Sequence, residues 1–291
     1  MIAECVPNFS EGRDLALVDR IAAAVPTSML LDRTSDPDHN RSVLTFAGEP
    51  AAVADAAFEA VRAAVAALDL RSHHGVHPRI GVADVVPLVP VAGITMEHCV
   101  ELARSVGRQI WEELEVPVFF YEAAALRPEC VRLENVRRLA MADTLAPDLG
   151  TGRHPSAGAC VVGARKFLIA WNIDLDTADV NVAKAIAGRI RESGGGLAGV
   201  KALGLMLKSS GVAQVSMNLV DFERTPMWVV FAEVERLARE LGVGVRGSEL
   251  IGMLPRAALD ACRDRDLKWM NLAAGSVLEA RLQCGDAGGT G

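Results

Sequence analysis

Aromatic residues are scarce, with one Tyr, four Trp and eight Phe in 291 residues. Single-stranded nucleic acid is held on exposed aromatic platforms, so that class of ligand is disfavoured. Clustered basic charge is also lacking. The formal charge is −7, and Lys and Arg are dispersed along the chain. A phosphate backbone is repelled on average, and no nucleic-acid partner is expected. The six cysteines (Cys5, Cys99, Cys130, Cys160, Cys262 and Cys284) include no C-x-x-C pair. Reduced thiols fit this better than a disulfide framework or a zinc site. No apolar run is long enough to span a bilayer, and the start, MIAECVPNFSEGR, has no basic stretch followed by an apolar one. The expectation is a cytoplasmic protein without a membrane partner. Nucleotide and hydrolase signatures are missing as well: there is no G-x-x-x-x-G-K-[ST], no G-x-S-x-G, and the glycines of DLGTGRHPSAG are not spaced as G-x-G-x-x-G.

What the chain does have is apolar bulk. Hydrophobic residues make up 51% of it and charged ones 23%, enough for a full core and too much for disorder. Periodicity predicts strands over 2–6, 29–31, 42–46, 82–89 and 116–121, with helices over 15–24, 51–68 and 96–113. A second series follows, with strands over 160–173, 200–207, 213–219 and 243–245 and helices over 178–192 and 227–241. Thr225-Pro226 is a helix start, combining a capping residue with Pro at the first position. Each half has the order β-α-β-β-α-β, so the predicted class is α+β with helices on one face of each sheet. The expected first domain is 1–175, the second 176–282, and 283–291 a disordered tail. Residues 127–155 join no clear element and read as a linker or a ligand-binding loop.

Three stretches carry candidate chemistry. RSHHGVHPRIG places His73, His74 and His77 within five positions. Gly75 and Pro78 prevent a helix there, so the histidines sit on a loop entering a strand. An imidazole titrates near neutrality and can both take and give a proton. Arg79 adds a fixed cation whose fork suits a carboxylate. No carboxylate or cysteine lies nearby at ligand spacing, and no metal is expected. In SDPDHNRSV, Asp36, Asp38, Asn40 and Arg41 form a polar connection that is either a solvated turn or a binding loop. The third stretch is DLGTGRHPSAG with GARKFLIAWN after it; its glycines expose backbone amides to a flat or anionic ligand. In QVSMNL, Ser216 and Asn218 read as satisfied strand polars.

Six of these motifs resemble, in order and over nearly the whole chain, the glutamate formiminotransferase family: ECVPNFSEGR, NRSV at 40–43, HPRIG at 77–81, GARKFLIAWN at 163–172, QVSMNL at 214–219 and GSELIGMLP at 247–255. The resemblance implies two ferredoxin-like subdomains with a ligand groove between them, a homodimer, and transfer of a formimino group from N-formimino-L-glutamate to N5 of tetrahydrofolate, the co-substrate. It implies that His77 is the acid-base residue. It places folate against Gly150, Thr151, Gly152, Arg153, His154, Pro155, Ser156, Ala157 and Gly158. Cationic side chains are needed for the carboxylates of glutamate and folate. Arg79, Arg41, Arg165 and Lys166 are the candidates, with Asp38 and Asn40 beside them in the substrate loop. The sequence departs from the family in Val76, where mammalian and many bacterial members have Glu, and over 122–149, which is shorter and lacks the family's arginine- and glutamate-containing segment. These departures keep two alternatives open, formyl transfer between 5-formyltetrahydrofolate and glutamate, and folate binding without catalysis. The cyclodeaminase part fused to the mammalian members is not in this sequence, so a separate enzyme is expected to process the product.

Overall fold

A computed structural model describes residues 1–37, 39–75, 78–207 and 210–286, the last four without side chains. The chain divides into two compact units, Met1–Lys166 and Phe167–Gly291. Among the described residues it is a mixed α+β protein with a seven-stranded and a four-stranded sheet.

The first unit opens with β1 (Ile2–Cys5) and β2 (Asn8–Phe9). Pro7, which has no N–H to donate, separates the two, yet both pair antiparallel with the same neighbours. Next comes α1 (Leu15–Ala22), whose N-cap Asp14 accepts the N–H groups of Ala16 and Leu17. A hairpin of β3 (Leu30–Asp36) and β4 (Arg41–Gly48) follows, then α2 (Pro50–Ala67), begun by a proline, and β5 (Ala83–Ala92). β4 lies between β3 and the β1–β2 strand, which pairs on its other side with β5. The chain then adds α3 (Met96–Leu114), β6 (Val118–Glu122), α4 (Leu133–Met141) and β7 (Cys160–Ala164). β7 inserts between β5 and β6 and is parallel to both.

Alternation along β6 and β7 sends side chains into two cores. Val118, Phe120, Cys160 and Val162 join the core under α1, α2 and α3. Phe119, Tyr121 and Val161 face the other way and pack with Val136 and Ala140 of α4. Helices therefore lie on both faces of this sheet, whereas one face was expected. α4 itself falls within 127–155, where no element was predicted.

The second unit runs β8 (Ile169–Leu175), α5 (Val180–Ile190), β9 (Val200–Leu207), β10 (Val212–Leu219), α6 (Met227–Glu240) and β11 (Val245–Ile251). The strands are ordered β11-β8-β10-β9, all antiparallel. Odd-numbered residues of β8 pack with α5 and α6 in a core centred on the fully buried Trp171. Short α7 (Arg256–Asp260) and α8 (Leu278–Asp286) close the described chain. The strand expected over 160–173 is two strands in two sheets. Residues 169–175 accordingly belong to the second unit, and the closing strand, expected over 243–245, begins at Val245 and runs through the GSELI motif to Ile251. Residues 283–286 are the end of α8; the rest of the expected tail lies outside the described residues.

Candidate active site

Four connections of the first unit meet where β5 and β7 begin. Residues 10–14 follow β2, the described residues of 37–40 join β3 to β4, those of 73–82 enter β5, and 150–159 enter β7. Their backbones are so close that glycine is required at the crossings. A Cβ on Gly12 would meet Asp36 O at 2.4 Å, one on Gly75 would meet His39 O at 2.5 Å, and one on Gly81 would meet Ala159 O at 1.9 Å. Gly158 has φ +73°, and a Cβ there would meet Ile80 O at 2.2 Å.

Asn40 binds three of these connections together. It is 6% exposed and adopts the left-handed conformation, φ 51°, that Asn tolerates better than most residues. Its Oδ1 accepts the Gly12 N–H at 2.9 Å and its Nδ2 donates to His74 O at 3.1 Å. Its carbonyl accepts from His73 Nε2 at 2.9 Å. That bond puts the imidazole proton on Nε2 and leaves Nδ1 buried without a hydrogen-bond partner among the described residues. Burial, and then the Arg79 cation, hold the His73 pKa below the usual imidazole value. Arg79 turns back on its own loop, donating to Gly75 O and His73 O, each at 3.1 Å.

Ser10, His39, Asn40, Arg41, Arg79 and Asp84 line a small hollow between these loops. Asp84, on β5, is 3% exposed; its Oδ1 accepts the Ile80 N–H at 2.7 Å and its Oδ2 is paired with Arg137 of α4. Burial above all, then the Arg137 cation, lower the Arg41 pKa, with Asp84 and Asp36 opposing. Three guanidinium groups thus lie around one buried carboxylate.

Gly150, Thr151, Gly152 and Arg153 line a separate cleft of about 350 Å³ with Ile80, Phe119 and residues 143–147. Arg153 is engaged there by Asp143 at 2.8 Å and Ala140 O at 2.7 Å. His154, Pro155, Ser156, Ala157 and Gly158 form the turn that seats this loop. His154 Nδ1 accepts the Ala157 N–H at 3.0 Å, Leu70 N–H donates to Ser156 O at 2.7 Å, and Val82 N–H donates to Ala157 O at 3.0 Å.

The structure therefore gathers Arg79, Asn40, Arg41 and residues 150–158 at one end of the first sheet. It places Arg165 and Lys166 at the other. The five residues of β7 lie between, a separation of about 16 Å at ~3.3 Å per residue. Arg165 Nη1 donates to Lys166 O at 3.0 Å, and Arg165 lies against Tyr121, whose hydroxyl pKa burial pushes up to about 12. His77 and Asp38, two further candidates, lie outside the described residues. Asp84 and Arg137 were not anticipated. The signal for Asp84 was a lone carboxylate in an otherwise apolar strand, which implies a buried partner. Among the described residues no three His, Cys, Asp or Glu side chains are grouped to hold a metal ion, and no helix is long and apolar enough to cross a membrane.

Comparison with known proteins covers the same loops. The family model described as formiminotransferase domain, N-terminal subdomain, matches residues 2–165, and that described as formiminotransferase domain matches 170–272. A glutamate formimidoyltransferase of Streptococcus pyogenes serotype M1 is 44% identical over 270 residues, 89% of this chain and 90% of that protein. Its namesake in Thermoplasma acidophilum is 40% identical over 295 residues, 97% of each chain. The formimidoyltransferase-cyclodeaminase of Sus scrofa is 44% identical over 280 residues, 89% of this chain but 51% of that protein, so the chain spans about half its length. With both family models matched in order and two relatives aligned over nearly their whole lengths, this chain belongs to the formiminotransferase family.

Proposed function

We propose that the chain transfers the formimino group of N-formimino-L-glutamate to N5 of tetrahydrofolate, giving 5-formiminotetrahydrofolate and glutamate. The observation that carries this reading is the convergence of three motif-bearing connections on one hollow in the first unit, lined by Arg41 and Arg79. The relatives' names supply glutamate and the formimino group, and tetrahydrofolate is what the family resemblance implies. N5 attacks the amidine carbon and a tetrahedral adduct forms. The glutamate nitrogen must gain a proton before it leaves, because an amide anion is not a viable leaving group. His77 takes the N5 proton and delivers it to that nitrogen. Arg41 and its neighbours attract a substrate carboxylate to the hollow. The folate lies against Gly150, Thr151, Gly152 and Arg153, whose cleft of about 350 Å³ suits a ligand of this class. Arg79, held on its own loop, shapes the turn, and Arg165 and Lys166 follow the far end of β7. Each unit's β-α-β-β-α-β series is read as a ferredoxin-like subdomain, the first extended by β6 and β7. The assembly is read as a cytoplasmic homodimer.

The test follows 5-formiminotetrahydrofolate formation by the purified protein beside His77→Ala. Loss of a general acid-base group is expected to lower kcat by about 10²–10⁴-fold, with tetrahydrofolate still bound. Turnover undiminished in the variant refutes the role of His77. A folded parent that binds tetrahydrofolate but never turns over refutes the reaction.

A further inference from the structure

The cleft beside α4 has largely apolar walls, with Ile80, Phe119, Leu145 and Pro147 among them. Among its described lining residues one is a cation, Arg153, and one a carboxylate, Asp143.

Asp143 is an unusual residue for its place. α4 ends in a Schellman turn, in which the Asp143 N–H donates to Ala140 O at 3.1 Å and the Thr144 N–H to Leu139 O at 3.0 Å. The turn puts Asp143 in the left-handed region, φ 54°, where Gly or Asn is the usual choice. A carboxylate there also meets the negative end of the helix dipole. Asparagine would suit both the conformation and the field, and would keep an acceptor. Local rules are broken most often where a site needs the residue.

Arg153 offsets that charge only in part. Its hydrogen bonds among the described residues go to Asp143 Oδ1 at 2.8 Å and Ala140 O at 2.7 Å, and both come from Nη2. Nη1 and Nε make none among the described residues. The side chains of Arg153 and Asp143 are 47% and 80% exposed, so water screens the pair and holds it weakly. Beside it Gly152 has nothing within 4 Å of its Cβ position, which leaves room for a ligand.

We propose that Arg153 receives a carboxylate of the folate's glutamate end and that Asp143 tempers this attraction, the apolar walls taking the aromatic body. This rests on the reading above that folate lies in this cleft. Other cations considered for that carboxylate are placed differently: Arg79 is bonded to its own loop, and Arg165 follows the far end of β7. The competing role is a pair that only fastens residues 150–153 to α4. A fastener supports every ligand of the cleft alike. A carboxylate receptor separates a charged ligand from a neutral one of the same shape.

The experiment titrates the full chain with tetrahydrofolate and with its diamide, in which both glutamate carboxylates are carboxamides, and reads Kd. We expect Arg153→Gln to weaken tetrahydrofolate binding about three- to tenfold and diamide binding by less than about twofold. Asp143→Asn should tighten tetrahydrofolate binding about two- to fivefold and leave the diamide within about twofold. In the Arg153→Gln background it should gain less than about twofold, because the cation it tempers is gone. Should Arg153→Gln fail to fold, Asp143→Asn decides, since asparagine is a residue the turn favours. Equal losses of both ligands in Arg153→Gln, or weakened tetrahydrofolate binding in Asp143→Asn, overturn the proposal. A parent chain that binds no tetrahydrofolate overturns the reading of the cleft, and this proposal with it. Tetrahydrofolate binding that neither variant alters overturns this proposal only.

Discussion

Asn40 shows how one side chain can matter more for assembling a site than for touching a ligand. The polar connection 36–41 was recognisable in the sequence because Asp, Asn and Pro favour turns, but that chemistry does not say what a turn residue will reach. The structure turns Asn40 inward, at φ 51°, to hold Gly12 and His74. Asn40→Ala leaves a backbone donor and an acceptor unmet, and an expected loss of about 1–3 kcal/mol should appear in urea unfolding. Asn40→Gly loses the same two bonds without the steric cost of the left-handed region, so it should be the milder by up to about 1 kcal/mol. An alanine variant within about 0.5 kcal/mol of the parent would show that these bonds contribute little. Arg79 carries the same lesson. Its fork was legible as a carboxylate binder, and in the fold two of its donors are taken by carbonyls six and four residues back. Partners of this kind depend on the loop's path, which no spacing rule describes.

Among the elements, helices with long apolar stripes and strands with strict alternation were legible because each pattern repeats often enough to set a period. The failures lie where the pattern is short or continuous. α4 has nine residues and two adjacent arginines, so its stripe of Leu133, Val136 and Ala140 is brief. Across 160–173 the β-type pattern continues past Ala164, and only the partners of each half show that β7 and β8 lie in different sheets. The crossing of the β5 and β7 entrances is equally non-local. Gly81 and Gly158 form an isolated bridge there, with Ala159 N–H donating to Ile80 O at 2.9 Å. A methyl group on Gly81 has no room beside the Ala159 carbonyl, so Gly81→Ala must part the two strand entrances. The expected destabilisation is roughly 3 kcal/mol or more, measured by urea unfolding. Gly188→Ala is the matched control, since nothing lies within 4 Å of its Cβ position and it lies in the last turn of α5. It should stabilise slightly or change nothing. Equal effects at the two sites would show that the crossing is slack.

On the scale of the whole chain, the division into two units was legible and its position was not, since the break falls between Lys166 and Phe167 inside one recognisable motif. The tryptophans are divided unequally by that break: Trp111 is in the first unit, while Trp171, Trp228 and Trp269 are in the second. This makes the proposed folate loop observable. The Trp111 ring packs on Gly150, so closely that a Cβ there would meet ring carbons at 2.6 Å. A ligand bound against residues 150–153 changes the surroundings of the Trp111 ring that packs there, so it should alter Trp111 emission before that of the other tryptophans. Titrating tetrahydrofolate into the parent should give a saturable change of emission. In Trp111→Phe, which keeps an aromatic ring on the loop, most of that saturable change should vanish while KM for tetrahydrofolate stays within about threefold. A change of undiminished amplitude in the variant would place the ligand away from this loop, and residues 150–158 would then be structural support for the entrance of β7.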